Sequence, residues 1–149
     1  FNVSSGNRYF PNSGISSLGH AIPAAIGARF FSPQPTFAVL GDGGFQMCCM
    51  EIMTAVNYHI PLNIVVFNNA TMSLIRKNQV QLYNNRFIDC DFVNPDYHLL
   101  AASFGIQHKK VESEADLDEL FANCDLTSSI NLIEIMIDKD AFPNYRSGR

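Results

Sequence analysis

No Cys-x-x-Cys pair, no cluster of basic residues and no apolar run of membrane-spanning length occurs in these 149 residues. Cys48, Cys49, Cys90 and Cys124 have no partners at zinc-ligand spacing and read as reduced thiols, which suits a cytoplasmic protein. The ten Lys plus Arg are scattered through a chain of net charge −4, which argues against a nucleic-acid or anionic-membrane surface. A bilayer span needs about 20 apolar residues and no run of that length is present, and no signal peptide is expected. Initiator methionine is missing too: a chain opening Phe1-Asn2-Val3-Ser4-Ser5 is expected to be one domain, 1–149, cut from a longer multidomain protein.

What is present is a hydrophobic content of 47% against 16% charged, the balance of a globular domain whose strands are covered on both faces. Short apolar runs at Thr36–Leu40, Leu62–Phe67, Ile106–Val111 and Ile130–Ile137 predict four buried strands. Between them, helical spacing is expected over 45–58 (Phe45, Cys48, Cys49, Ile52, Met53, Val56), from Met72, and over 97–104 with Gly105 as its stop. Ser113-Glu114-Ala115-Asp116 predicts a capped helix to Cys124, with Asp where a capping box usually has Glu or Gln. The alternation predicts an α/β fold: a doubly wound, mainly parallel sheet with helices on both faces.

Upstream, a loop over 1–18 is expected to be pinned by Tyr9 and Phe10, and a helix over 18–31 carries Pro23 in its first turn. Its small residues Ala21, Ala24, Ala25, Gly27 and Ala28 allow close approach to a neighbour or a cofactor. The polar stretch 79–94 reads as a long surface excursion.

Strand ends carry the chemistry. The first apolar strand runs into Gly41-Asp42-Gly43-Gly44 and the second into Asn68-Asn69, and ligands of parallel α/β sheets bind outside the strands' carboxyl ends. A carboxylate at one end and a carboxamide at the next can converge on one ion, which makes Asp42 and Asn69 the leading metal ligands. Gly41, Gly43 and Gly44 let backbone N–H groups approach a phosphate without Cβ obstruction. There is no Lys in the turn, so it is not a Walker A loop, and the last glycine of G-x-G-x-x-G is missing. Asp42 by itself would repel a phosphate; Mg²⁺ between the two, held by oxygens, resolves the conflict. The bland alternatives are strand-end turn formers for Asp42 and Asn69, ordinary core for Leu18, and structural roles for Glu51 and His20. Arg76 and Gln79 either reach toward the substrate or belong to a salt-bridged surface.

GDG, a spacer over residues 44–67, then Asn68-Asn69 resembles the cofactor motif of thiamine diphosphate (ThDP) enzymes. SLGHAIPAAIGA, PDYHLLAASFGI and INLIEIMID are similar to segments of the C-terminal, diphosphate-binding domain in the acetolactate synthase and pyruvate decarboxylase group. The resemblance implies Mg²⁺ on the Asp42 and Asn69 side chains and on the Thr71 carbonyl, a position where many relatives have Gly. It implies diphosphate contacts from Gly43, Gly44 and the amides of Met72, Ser73 and Leu74, Leu18 wedged beneath a bent cofactor, and the Ser16 carbonyl accepting from its aminopyrimidine. The implied activity is an acetolactate synthase-like decarboxylase or carboligase acting on a small 2-oxo acid. The alternatives are a simple decarboxylase or acyl-CoA lyase of the same family, or a non-catalytic module. The family's activating Glu lies in a pyrimidine-binding domain, usually of the partner subunit. A homo-oligomer is therefore implied, this chain supplies no catalytic residue of that kind, and alone it should be inactive. The closing Phe142-Pro143-Asn144-Tyr145-Arg146 departs from an acetolactate synthase ending.

Overall fold

The structure, a computed structural model, describes residues 8–142; residues 1–5 and 143–146, singled out above, lie outside them. Four strands, β1 Phe37–Gly41, β2 Leu62–Asn68, β3 Gln107–Val111 and β4 Ile130–Met136, form one sheet in the order β1-β2-β4-β3. Every pairing is parallel, with Leu40 opposite Val66, Val66 opposite Glu134 and Val111 opposite Ile135. Six helices connect or flank the strands: α1 Ala21–Phe31, α2 Asp42–Cys48, α3 Ile52–Asn57, α4 Ser73–Tyr83, α5 Tyr97–Phe104 and α6 Glu114–Asn123. Among the described residues no helix is long and apolar enough to cross a membrane.

Side chains alternate across a strand, so the two faces of the sheet feed two cores. On one face Ala38, Ile64, Val66 and Leu132 pack with Ile22 and Ile26 of α1, Phe45 of α2, Ile52 of α3 and Ala101 and Phe104 of α5. The other face is smaller: Val111 and Ile133 with Leu120 of α6, edged by Val65, Leu117 and Ile135. Coverage of that second face is uneven, since Phe37, Val39 and Phe67 on β1 and β2 remain exposed. Each fully buried Ile or Phe contributes about 2 kcal/mol, so the larger layer dominates the stability of the fold.

Local chemistry shifts several expected boundaries. Gly19 at φ +84° ends the preceding loop, so α1 begins at Ala21 and Leu18 stands in a turn outside it. Pro23 still falls in the first turn. Tyr9 and Phe10, expected as anchors, are 58% and 76% exposed, and Asn12 Nδ2 donates to the Ser17 carbonyl within the loop. The single helix expected over 45–58 begins earlier, at Asp42, and is broken by a 3₁₀ turn at Cys49–Glu51. At the break Cys48 leaves helical geometry (φ −138°) while its thiol donates to the Gly44 carbonyl four residues back. Burial pushes the Cys48 thiol up, and all four cysteines are free.

The capping box forms as written, Asp116 included. Asp116 Oδ2 accepts from the Glu112 and Ser113 amides at 2.9 Å each, and these donors hold its carboxyl below the usual carboxylate range. A depressed folded-state pKa stabilises above the unfolded value and is lost as pH falls through the folded one. We therefore expect Asp116→Ala to be slightly less stable than wild type in urea at neutral pH, with the gap closing below the ordinary carboxylate range.

Candidate functional site at the strand carboxyl ends

Three columns of one sheet face turn from apolar to polar as they reach the carboxyl ends. Ala38-Leu40 leads to Asp42, Ile64-Val66 to Asn68, and Ile130-Leu132 to Glu134. Asp42, Asn68 and Glu134 are all buried, at 2%, 8% and 7% exposure. A buried carboxylate needs donors, and Asp42 has four. Its Oδ1 accepts from the Gly43 amide at 2.9 Å, and its Oδ2 from the Asn69 amide at 3.1 Å, the Ala70 amide at 2.6 Å and Asn94 Nδ2 at 2.8 Å. The consecutive Asn69 and Ala70 amides can both reach it because Ala70 sits at φ +55°, a left-handed conformation unfavourable for a residue with a Cβ. Two adjacent strand ends are thereby locked together through one carboxylate.

Around that carboxylate lie oxygens with capacity to spare. Asp42 Oδ1 has one donor. Asn69 donates through Nδ2 to Ser73 Oγ at 2.7 Å, while among the described residues nothing donates to its Oδ1 or to the Thr71 carbonyl. Thr71 itself is fixed, being 2% exposed with its hydroxyl donating to the Cys90 carbonyl at 2.9 Å and its backbone bridged to Asp91. Carboxylate, carboxamide and carbonyl are the hard oxygen ligands that suit Mg²⁺. No cluster of three or more His, Cys, Asp or Glu able to hold a metal occurs among the described residues.

The glycines and their neighbours form the rest of the floor. A Cβ added to Gly43 would lie 2.5 Å from Met72 Sδ, and one added to Gly44 would lie 3.5 Å from Leu18 Cδ2. A Cβ added to Gly41 would meet nothing within 4 Å. Leu18 is half exposed rather than core, and Ser16 is exposed with φ +56°. The Met72 amide donates to the Cys90 carbonyl at 2.7 Å, which removes it from the set of amides expected to face a diphosphate; Ser73 and Leu74 open α4 and are exposed.

Two residues were missed in the sequence. Asn94 enters there only as the end of the polar stretch 79–94, yet its Nδ2 bridges Asp42 and Asn68 (2.8 and 2.7 Å) and its Oδ1 accepts from Gln46 at 2.7 Å. The true cap of α5 is Asp96, which accepts from the Leu99 amide. Glu134 was hidden inside an apolar strand. Conversely, Arg76 does not reach out: it is buried, paired with Asp91 and Asp140 and stacked 4.0 Å from the Phe87 ring centroid. Gln79 clamps Ile88 from both sides, through Nε2 to its carbonyl and Oε1 from its amide. The stretch expected to be a surface excursion is thus fastened at both ends: α4 runs on to Tyr83, and the segment returns to bury Cys90.

Comparison with known proteins gives matches over most of the chain. The description "Thiamine pyrophosphate enzyme, C-terminal TPP binding domain" matches residues 1–135. A probable acetolactate synthase large subunit of Methanococcus aeolicus is 32% identical over 130 residues, covering 84% of this chain and 22% of that protein. The acetolactate synthase large subunit of Lactococcus lactis is 35% identical over 131 residues, 86% of this chain and 22% of its own length. Sulfoacetaldehyde acetyltransferase of Alcaligenes xylosoxydans is 36% identical over 110 residues, 73% of this chain and 18% of its own. Among solved structures, a thiamine diphosphate-dependent 4-hydroxybenzoylformate decarboxylase of Rhodococcus jostii superposes with a TM-score of 0.74 at 27% identity, over 81% of this chain and 23% of that one. The chain spans only a minor part of each of these proteins.

Proposed function

The chain belongs to the thiamine pyrophosphate enzymes, as their C-terminal TPP-binding domain, and from that premise we propose that its strand-end oxygens hold Mg²⁺ and, through it, the diphosphate of ThDP. The observation that carries this reading is the buried Asp42 carboxylate beside two oxygens, Asn69 Oδ1 and the Thr71 carbonyl, to which nothing among the described residues donates. Bound ThDP supplies a nucleophilic carbon and an electron sink for cleaving the bond beside a keto group. The chain's own part is to bind and orient. Asp42, Asn69 and the Thr71 carbonyl would hold the ion, Gly43 and Gly44 and the Ser73 and Leu74 amides would serve the phosphates, Leu18 would support the cofactor from below, and the Ser16 carbonyl would accept from the aminopyrimidine.

The activity proposed is that of an acetolactate synthase-like 2-oxo acid decarboxylase or carboligase, in line with the names of the relatives matched. A simple decarboxylase is the second reading, favoured by the Rhodococcus structural likeness. In either case we place this chain as one domain of a longer, cytoplasmic homo-oligomeric enzyme, with the activating carboxylate coming from a pyrimidine-binding domain of a partner subunit. Titrating ThDP into the full-length protein with Mg²⁺ and with a chelator tests the site. Saturable binding only with Mg²⁺ is expected; equal binding in chelator, or binding of ATP or GTP instead, overturns the reading.

A further inference from the structure

Beneath Asp42 the hydrogen bonds form a chain with a fixed direction. Asn68 Nδ2 donates to Glu134 Oε1 at 2.6 Å, which leaves Asn68 Oδ1 facing Asn94. Asn94 Nδ2 donates to that oxygen and to Asp42 Oδ2, while its own Oδ1 is taken by Gln46. The second Glu134 oxygen meets His108 Nε2 at 3.0 Å. The chain therefore ends in a carboxylate on each side, with two carboxamides oriented between them. An ionised carboxylate only accepts hydrogen bonds, so Glu134 dictates which end of Asn68 points at Asn94, and that in turn leaves a donor for Asp42.

An apolar residue at 134 would continue the Ile130-Leu132 column without the desolvation cost of a buried charge. The carboxylate is instead matched to partners on β2 and β3, and its field reaches the same buried space as that of Asp42: after burial itself, Asp42 and Glu134 push the Tyr97 hydroxyl's pKa up. That hydroxyl is buried without a hydrogen-bond partner among the described residues.

We propose that Glu134 is a positioning residue for the strand-end oxygen site, acting on Asp42 through the oriented carboxamides of Asn68 and Asn94. The proposal rests on the reading that Asp42 binds Mg²⁺. Glu134→Gln keeps the shape but offers a donor of its own. Asn68 can then invert, present its NH₂ group to that of Asn94, and break the chain.

The test is a Mg²⁺ titration at fixed ThDP, read by calorimetry, on full-length wild type, Glu134→Gln, Asn94→Ala and the double variant. Loss of an outer partner typically weakens a metal site by roughly 10-fold to 100-fold, and Glu134→Gln is expected to weaken Mg²⁺ binding by at least the lower figure. Because both residues act through one path, the double variant should be no weaker than the weaker single variant. Amide exchange at Asn69 and Ala70, measured without Mg²⁺, should quicken in Glu134→Gln. Unchanged Mg²⁺ affinity in Glu134→Gln, or additive losses in the double variant, overturns the proposal. Where Glu134→Gln does not fold, Asn94→Ala in its loop carries the test, and unchanged affinity there overturns it equally. Failure of wild type to bind ThDP with Mg²⁺ is a different result: it removes the underlying reading together with the proposal.

Discussion

Asp42→Ala is expected to abolish Mg²⁺-dependent ThDP binding and, separately, to destabilise the protein in the absence of any metal. The first effect follows from removing the only carboxylate assigned to the ion. The loss should exceed roughly 100-fold, beyond the span of outer-partner changes. The second follows from what the carboxylate does unliganded: it accepts from Gly43, Asn69, Ala70 and Asn94 and joins the ends of β1 and β2. Leaving those donors without an acceptor should cost about 2–4 kcal/mol in urea unfolding. Asp42→Asn separates the two effects. It retains one acceptor oxygen, so it should recover part of the stability, but with that oxygen taken by the Asn69, Ala70 and Asn94 donors its NH₂ group would stand in place of the second carboxylate oxygen and the charge is lost, so binding should remain far below wild type. Binding by Asp42→Asn close to wild type would show that the carboxylate serves the fold alone.

The second large effect lies at the other end of the same strands. Asn131 is fully buried, and its Nδ2 donates to Asn63 Oδ1 and to the Asp125 carbonyl at 2.8 Å each. Asn63 in turn donates to the Leu126 carbonyl at 2.8 Å. This amide pair fastens the start of β2 to β4 and to the turn before it, about 16 Å along the strand from Asn68. Asn131→Ala leaves acceptors unpaired as well as a void, and should cost about 2–4 kcal/mol. Mg²⁺ and ThDP affinity at the far end should not change. Replacing both Asn63 and Asn131 by Leu should cost less than the sum of the two single changes, because each no longer strands the other's polar group.

Asn131 also shows why some of the molecule was legible in the sequence and some was not. Strand positions were readable because continuous apolar runs need a parallel sheet to bury them, and Asp42 and Asn69 because they stand where two such runs stop. Signals of that kind are local. Asn94 meets Asp42 across 52 positions, Asn68 meets Glu134 across 66, and Asn131 meets Asn63 across 68, so no spacing rule marks these pairs. Arg76 was ambiguous for the same reason, its two acids lying 15 and 64 positions away. The break at Cys48 escaped notice because the apolar spacing runs on through it, while a thiol-to-carbonyl contact and not a Gly or Pro marks the kink.

One cation is expected between the ends of β1 and β2. Mn²⁺ can replace Mg²⁺ in crystals of the full-length protein grown with ThDP, and its anomalous scattering locates the ion independently of any assumed ligand. A single peak per chain is expected about 2.1 Å from an Asp42 carboxylate oxygen, Asn69 Oδ1 and the Thr71 carbonyl. A peak elsewhere, or ThDP bound in full occupancy with no metal at these three oxygens, would contradict it.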